Sequence, residues 1–248
     1  MRKVLFGAAA FALALAIGTV AQGNTVTDPG GQSQSLTVTH SPSKPKKGTF
    51  VNVVLHTGCD PTKQCQPAPA PLGKAAATTK TVVHIPKGMK LGYKDFPKCK
   101  QSALESKGLK GCSKKAIVGK GKLTADARPV VGTPVGGTVT AFNGTNSTYL
   151  LYVVPEISSP LVIPGKLHGL TLTFQVPLVP TLPGQPNATL VDFQVKTGGK
   201  VRKKKHGKRV TINYLQNPKK CPSGGYQWKF DFTYESGVSL SPTAAVKC

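Results

Sequence analysis

A disulfide-stapled, antiparallel β-sandwich of Ig-like or jelly-roll-like type, with one short helix near residues 101–107, is the fold class this sequence predicts. Three observations point to it. Short segments alternate apolar and polar residues, glycine and proline punctuate them, and no long amphipathic helix interrupts the series.

The chain opens with Arg2 and Lys3, then an apolar run from Val4 to Val20, with small residues at Thr19-Val20-Ala21 before a cut at Gln22. This is the pattern of a secretory signal peptide, residues 1–21. No second apolar span follows, so no transmembrane span is expected in the mature protein. Residues 22–34 are rich in Gly, Gln and Ser and read as a flexible lead-in. Residues 35–248 are expected to form a single elaborated sandwich domain, with an Ig-like N-terminal part as a candidate sub-domain.

Within that domain, strand patterns run over 35–40, 49–56, 79–85, 116–125, 136–142, 148–154, 161–167, 170–176, 188–196, 209–215 and 226–234. The last is the clearest: Tyr226, Trp228, Phe230, Phe232 and Tyr234 take every second position. Side chains alternate across a strand, so five aromatics share one face and Gln227, Lys229, Asp231 and Thr233 share the other. One wet and one dry face implies antiparallel pairing. Dry faces must be covered, which favours two packed sheets, with a barrel as the other closure. Gln101 to Lys107, stopped by Gly108, reads as the short helix.

Six cysteines in an exported chain read as three disulfides. Fifteen pairings exist, and spacing ranks Cys99 with Cys112, Cys221 with Cys248, and Cys59 with Cys65 by elimination. His56, Cys59 and Cys65 lack a fourth ligand at ordinary zinc spacing, so no metal site is expected. No cofactor is implied.

Charge is the strongest compositional signal. The leader holds two of the 33 basic residues and none of the nine acidic ones, so the mature chain keeps an excess of 22 positive charges. Such a field attracts polyanions without specifying one. The densest run, Lys200, Arg202, Lys203, Lys204, Lys205, Lys208 and Arg209 around His206-Gly207, is the candidate polyanion-binding site. Its plainer reading is a solvated hairpin that protects an edge from aggregation. Lys44, Lys46 and Lys47, and Lys110, Lys114, Lys115, Lys120 and Lys122, are smaller clusters that extend the field if they share its face.

No catalytic residue is expected. The chain has no Gly-x-Ser-x-Gly elbow, and Gly119-Lys120-Gly121-Lys122-Leu123 lacks the first glycine and the hydroxyl of a phosphate loop. Asp231 and Glu235 would sit about 13 Å apart on one strand, too far for a glycosidase pair. The aromatic row could serve as a stacking platform for sugars or bases, against the ordinary reading as core. Asn143, Asn146 and Asn187 open triplets that match the glycosylation acceptor pattern, with turn chemistry as their plainer reading.

Phe96-Pro97-Lys98-Cys99, Gly111-Cys112, Lys115 to Gly121, Thr140 to Gly144, Val162 to Gly165, Phe174 to Pro177, Lys219-Lys220-Cys221-Pro222 and the final Cys248 together resemble a group of secreted proteins of actinobacterial type with no assigned activity. The resemblance implies a signal peptide, an all-β body and the pairs Cys99–Cys112 and Cys221–Cys248, and carries over no function. The expectation is therefore a secreted or envelope-associated, non-enzymatic β-protein that binds anionic polymers of the cell envelope, with no specific nucleic acid. A secreted carbohydrate-active or hydrolytic enzyme and an adhesion or structural module are the alternatives.

Overall fold

The computed structural model describes residues 22–132, 134–205 and 207–248. The expected signal peptide and His206 lie outside the described residues. In chain order the elements are β1 (Gln22–Thr27), β2 (Gln32–Ser41), β3 (Phe50–Cys59), β4 (Thr78–His84), β5 (Lys90–Leu91), α1 (Gln101–Lys107), β6 (Ile117–Asp126), β7 (Val135–Asn143) and β8 (Thr148–Pro155). There follow β9 (Leu161–His168), β10 (Thr171–Gln175), β11 (Thr189–Thr197), β12 (Lys200–Lys205), β13 (Lys208–Asn213), β14 (Leu215–Gln216), β15 (Tyr226–Tyr234), β16 (Ser239–Leu240) and β17 (Thr243–Val246).

The protein is all-β, but it is a barrel and not a sandwich. Twelve strands form one antiparallel ring, β15-β17-β1-β2-β3-β11-β6-β7-β8-β9-β10-β4 and back to β15. The deciding strand is β4, which pairs with β10 along one edge, as in Leu172 with Val83, and with β15 along the other, as in Phe230 with Val83. Period-two alternation fixes which side chains point inward; it is equally satisfied by two stacked sheets and by one sheet closed on itself.

The expected lead-in is also corrected. Residues 22–34 hold β1, the turn at Gly30-Gly31 and the start of β2. β1 pairs with β2 on one side and with β17 on the other, so it is a stave of the ring.

Inside, the aromatic row of β15 is buried throughout, with Tyr226 0 % and Trp228 5 % exposed, so it is core and not a stacking platform. Outside, α1 and Leu104 cover Phe142 and Leu150 on the outer face of β7 and β8, forming a small second core with Cys99 and Ala116. Gly108, at φ +56, ends that helix. Asn146 and Ser147 take left-handed φ between β7 and β8, which is turn chemistry. All three disulfides form as spacing ranked them: Cys59–Cys65, Cys99–Cys112 and Cys221–Cys248. Three such bonds fit an oxidising compartment. Among the described residues, no helix is long and apolar enough to cross a membrane.

Candidate functional site

The cationic run folds into the β12–β13 hairpin, a separate two-stranded ribbon at one end of the barrel. Directly opposed residues share a face. Val201 lies opposite Ile212, and both pack against the barrel core. The other face therefore turns to solvent, and it carries Lys200, Arg202, Lys204 and Arg209, all exposed. Lys204 is directly opposite Arg209, and Lys205 directly opposite Lys208. Like charges in directly opposed positions, as at Lys204 and Arg209, destabilise a ribbon.

Strand order then decides which other lysines join this ribbon. The connections at its end of the barrel are residues 42–49, 85–116, 144–147, 169–170, 198–225 and 247–248, and they hold 22 of the Lys and Arg residues against two carboxylates, Asp95 and Glu105. The connections at the far end, residues 28–31, 60–77, 127–134, 156–160, 176–188 and 235–242, hold three basic residues against Asp28, Asp60, Glu156 and Glu235. The barrel is thus electrostatically polar along its axis. Lys44, Lys46, Lys47, Lys110, Lys114 and Lys115 belong to the basic pole, while Lys120 and Lys122 are exposed on the barrel wall. There Lys120 lies directly opposite Lys196, another like-charge pair.

The 85–116 connection is fastened onto this pole by Asn143, which is fully buried and donates from Nδ2 to the carbonyls of Tyr93, Phe96 and Pro97 at 3.0, 3.2 and 3.1 Å. Lys98 stands over the Tyr93 ring at 5.2 Å and donates to its carbonyl. Its pKa is held below the ordinary lysine value, first by partial burial and then by repulsion from Lys203 of the ribbon. Lys203 has Asp95 at 3.8 Å. Cations from separate segments are therefore close enough to oppose one another's charge.

Comparison of the chain with protein-family models, curated proteins and solved structures finds no match. The geometry alone must carry the reading.

The groups that could do catalysis are dispersed. Asp231 lies on the outer wall, accepting from Ser241 Oγ at 2.6 Å and paired with His84 Nε2 at 2.6 Å and Lys229 at 2.9 Å. This collects a serine, an aspartate and a histidine, yet both partners address the carboxylate, and the serine has no bond to the imidazole that could take its proton. Burial alone would raise the Asp231 pKa, but hydrogen bonds from Lys229, Ser241 and His84 more than offset it and hold it at about 2. Glu235 sits at the far pole, accepting from the amide of Ala77 and from Asn187 Nδ2. His56 pairs with Asp192 at 2.8 Å. Cys59 and Cys65 are bonded to each other, so the weighed His56–Cys59–Cys65 set has no thiolate to offer. Among the described residues, no group of three His, Cys, Asp or Glu could hold a metal ion.

The charge run in the sequence marks the ribbon, but no such run marks Lys87, Lys90, Lys94, Lys98, Lys100 and Lys107. Each is isolated in sequence, and only the topology of the ring gathers them at one end.

Proposed function

We propose that the protein is exported and binds an anionic polymer of the cell envelope through the basic pole, with the β12–β13 ribbon as its leading edge. The observation that carries this reading is the opposition of Lys204 to Arg209 on the solvent face of a ribbon whose apolar face is already satisfied. A ribbon needed only as a solvated edge would be more stable with mixed charges at those positions. A polymer of closely spaced phosphates or other anions relieves the repulsion between strands and between Lys98 and Lys203, and releases its counterions on binding.

Titration of residues 22–248 with long-chain polyphosphate at two ionic strengths tests this, with neutral dextran as control. Affinity is expected to fall more than tenfold between about 50 and 200 mM salt, because several charges are neutralised together. Replacing Arg202, Lys204 and Arg209 by glutamine should weaken binding at both salts and flatten the dependence. Absent binding, or binding indifferent to salt, refutes the reading.

A further inference from the structure

The barrel interior is not filled. A cavity of about 180 Å³ lies against Trp228, Phe230 and Phe232 of β15 and reaches Tyr149 at the basic end. A second, of about 250 Å³, lies against Leu123, Val135 and Val153 toward the far end. Ile163, Val176, Leu190 and Phe193 line both, so the two chambers lie end to end with these side chains at their junction. At the junction, the bulge between Leu190 and Asp192 in β11 lets consecutive residues Leu190 and Val191 both face the inner chamber.

The outer chamber opens at the pole opposite the lysines. Ile157 and Val130 line it and are 62 % and 40 % exposed, and Leu178 and Leu182, at 43 % and 53 %, lie in the 176–188 connection whose Val179 and Thr181 also line it. Four of the eight large apolar side chains exposed among the described residues, Val130, Ile157, Leu178 and Leu182, thus lie at this opening. The connections around it are held in place by a buried polar collar. Lys74 donates from Nζ to the carbonyls of Arg128 and Asn187 at 2.8 and 2.7 Å, and Glu235 accepts from Asn187 and Gln66.

We propose that the two chambers form one channel, a binding site for one linear alkyl chain, entered at the pole opposite the basic one, with the chain's polar head left in solvent at the opening. The walls are mostly carbon and hold no charged side chain, so a charged group finds no counter-charge inside. The channel runs from Tyr149 to Pro155, most of the length of β8, a span of about 20 Å at roughly 3.3 Å per residue. Two small chambers in series over that length accommodate a flexible chain. Occupancy does not depend on the basic pole, which lies at the other end of the axis.

Trp228 is the only tryptophan of the chain and lines the inner chamber, so it reports occupancy directly. The processed protein is titrated with 9,10-dibromostearic acid, whose bromines quench indole emission at short range. Saturable quenching with one chain per protein is expected, reversed by unbrominated stearate, retained by the methyl ester and unchanged within twofold at high salt. In Leu190→Phe and Val176→Phe, which narrow the junction, the affinity falls at least tenfold. Retention of the parental unfolding transition shows that these variants fold. A rise in the thermal midpoint of the unaltered protein with stearate gives a second reading that needs no variant. Vesicles of phosphatidylcholine with brominated acyl chains distinguish the source: quenching there assigns a lipid's chain, and quenching by the free acid alone assigns a fatty acid. No saturable quenching from either source overturns the proposal. So does quenching that high salt or esterification abolishes, which would place the acid's carboxylate on the lysines.

Discussion

Trp228 donates its indole N–H to Nε2 of His40 at 3.0 Å, inside the barrel, and the other imidazole nitrogen, Nδ1, lies 2.8 Å from Oδ1 of Asn217. Because Nε2 must accept, the ring is neutral with its proton on Nδ1, donated to Asn217. Burial outweighs the Asn217 bond and lowers the His40 pKa from 6.5 to about 4.

An acid-triggered loss of stability follows, and its sign is fixed by that depression. The unfolded chain takes up a proton near pH 6.5 and the folded one only near pH 4. His40 therefore contributes no penalty above about 6.5, and stability falls as pH drops from there toward 4, by on the order of 3 kcal/mol in all. Denaturant unfolding followed by Trp228 emission between pH 7.5 and 4 should show the decline. In His40→Gln the slope over this window should flatten. A midpoint constant from pH 7 to pH 4 would contradict the arrangement.

The β12–β13 ribbon predicts a trade between stability and binding. Arg209→Glu places opposite charges at the pair with Lys204, which should stabilise the ribbon by up to about 1 kcal/mol. The same change should weaken polyphosphate binding. Thermal unfolding and titration of one variant read both effects, and a variant that loses stability together with affinity would speak against repulsion across the ribbon.

The disulfides should differ in worth according to the loop each closes. Cys221–Cys248 spans 27 residues and ties the start of β15 to the end of β17, whereas Cys59–Cys65 spans six. Chain entropy gives about 3.5 kcal/mol for the first and about 2 kcal/mol for the second. Paired Cys→Ala variants compared by urea midpoint test the order.

Lys74 is fully buried, and burial lowers its pKa, with Asp126 and Glu235 opposing that shift. Lys74→Met removes the donor from two carbonyls belonging to two different connections at the channel opening. The expected cost is about 1–3 kcal/mol, with faster amide exchange in residues 127–134 and 176–188. Unchanged exchange there would show that the collar does not hold the opening.

Much of this molecule was legible because it is local. Alternation in Tyr226–Tyr234 and Arg209–Leu215 identified strands and faces, Gly108 marked the end of α1, and loop length ranked the disulfides. Closure was not legible, because alternation says which way a residue points and nothing about which strand lies beside it; β4 looks no different for having two partners. The basic pole was legible only as its ribbon, since the remaining lysines converge through strand order. The channel left no trace, because an inward residue such as Phe193 reads the same whether it meets a neighbour or a void.

The strand at residues 22–27 and the closure of the ring escape sequence patterning for one reason. β1 is polar and glycine-containing, so it carries no apolar period, yet it joins β17 to β2. Its junction with β17 consists of two positions, Gln22 with Ala245 and Gly23 with Ala244. Cleavage after Ala21 keeps both, whereas cleavage or trimming past Gly23 removes them and leaves β17 and the rest of β1 with unpaired edges. Such edges invite pairing between chains. The chain beginning at Gln22 should therefore be monomeric with a single cooperative transition, and one beginning at Asn24 should lose stability and associate. Size-exclusion chromatography and urea unfolding of the two forms decide this. Equal midpoints and equal elution would mean that β1 is not needed to close the ring.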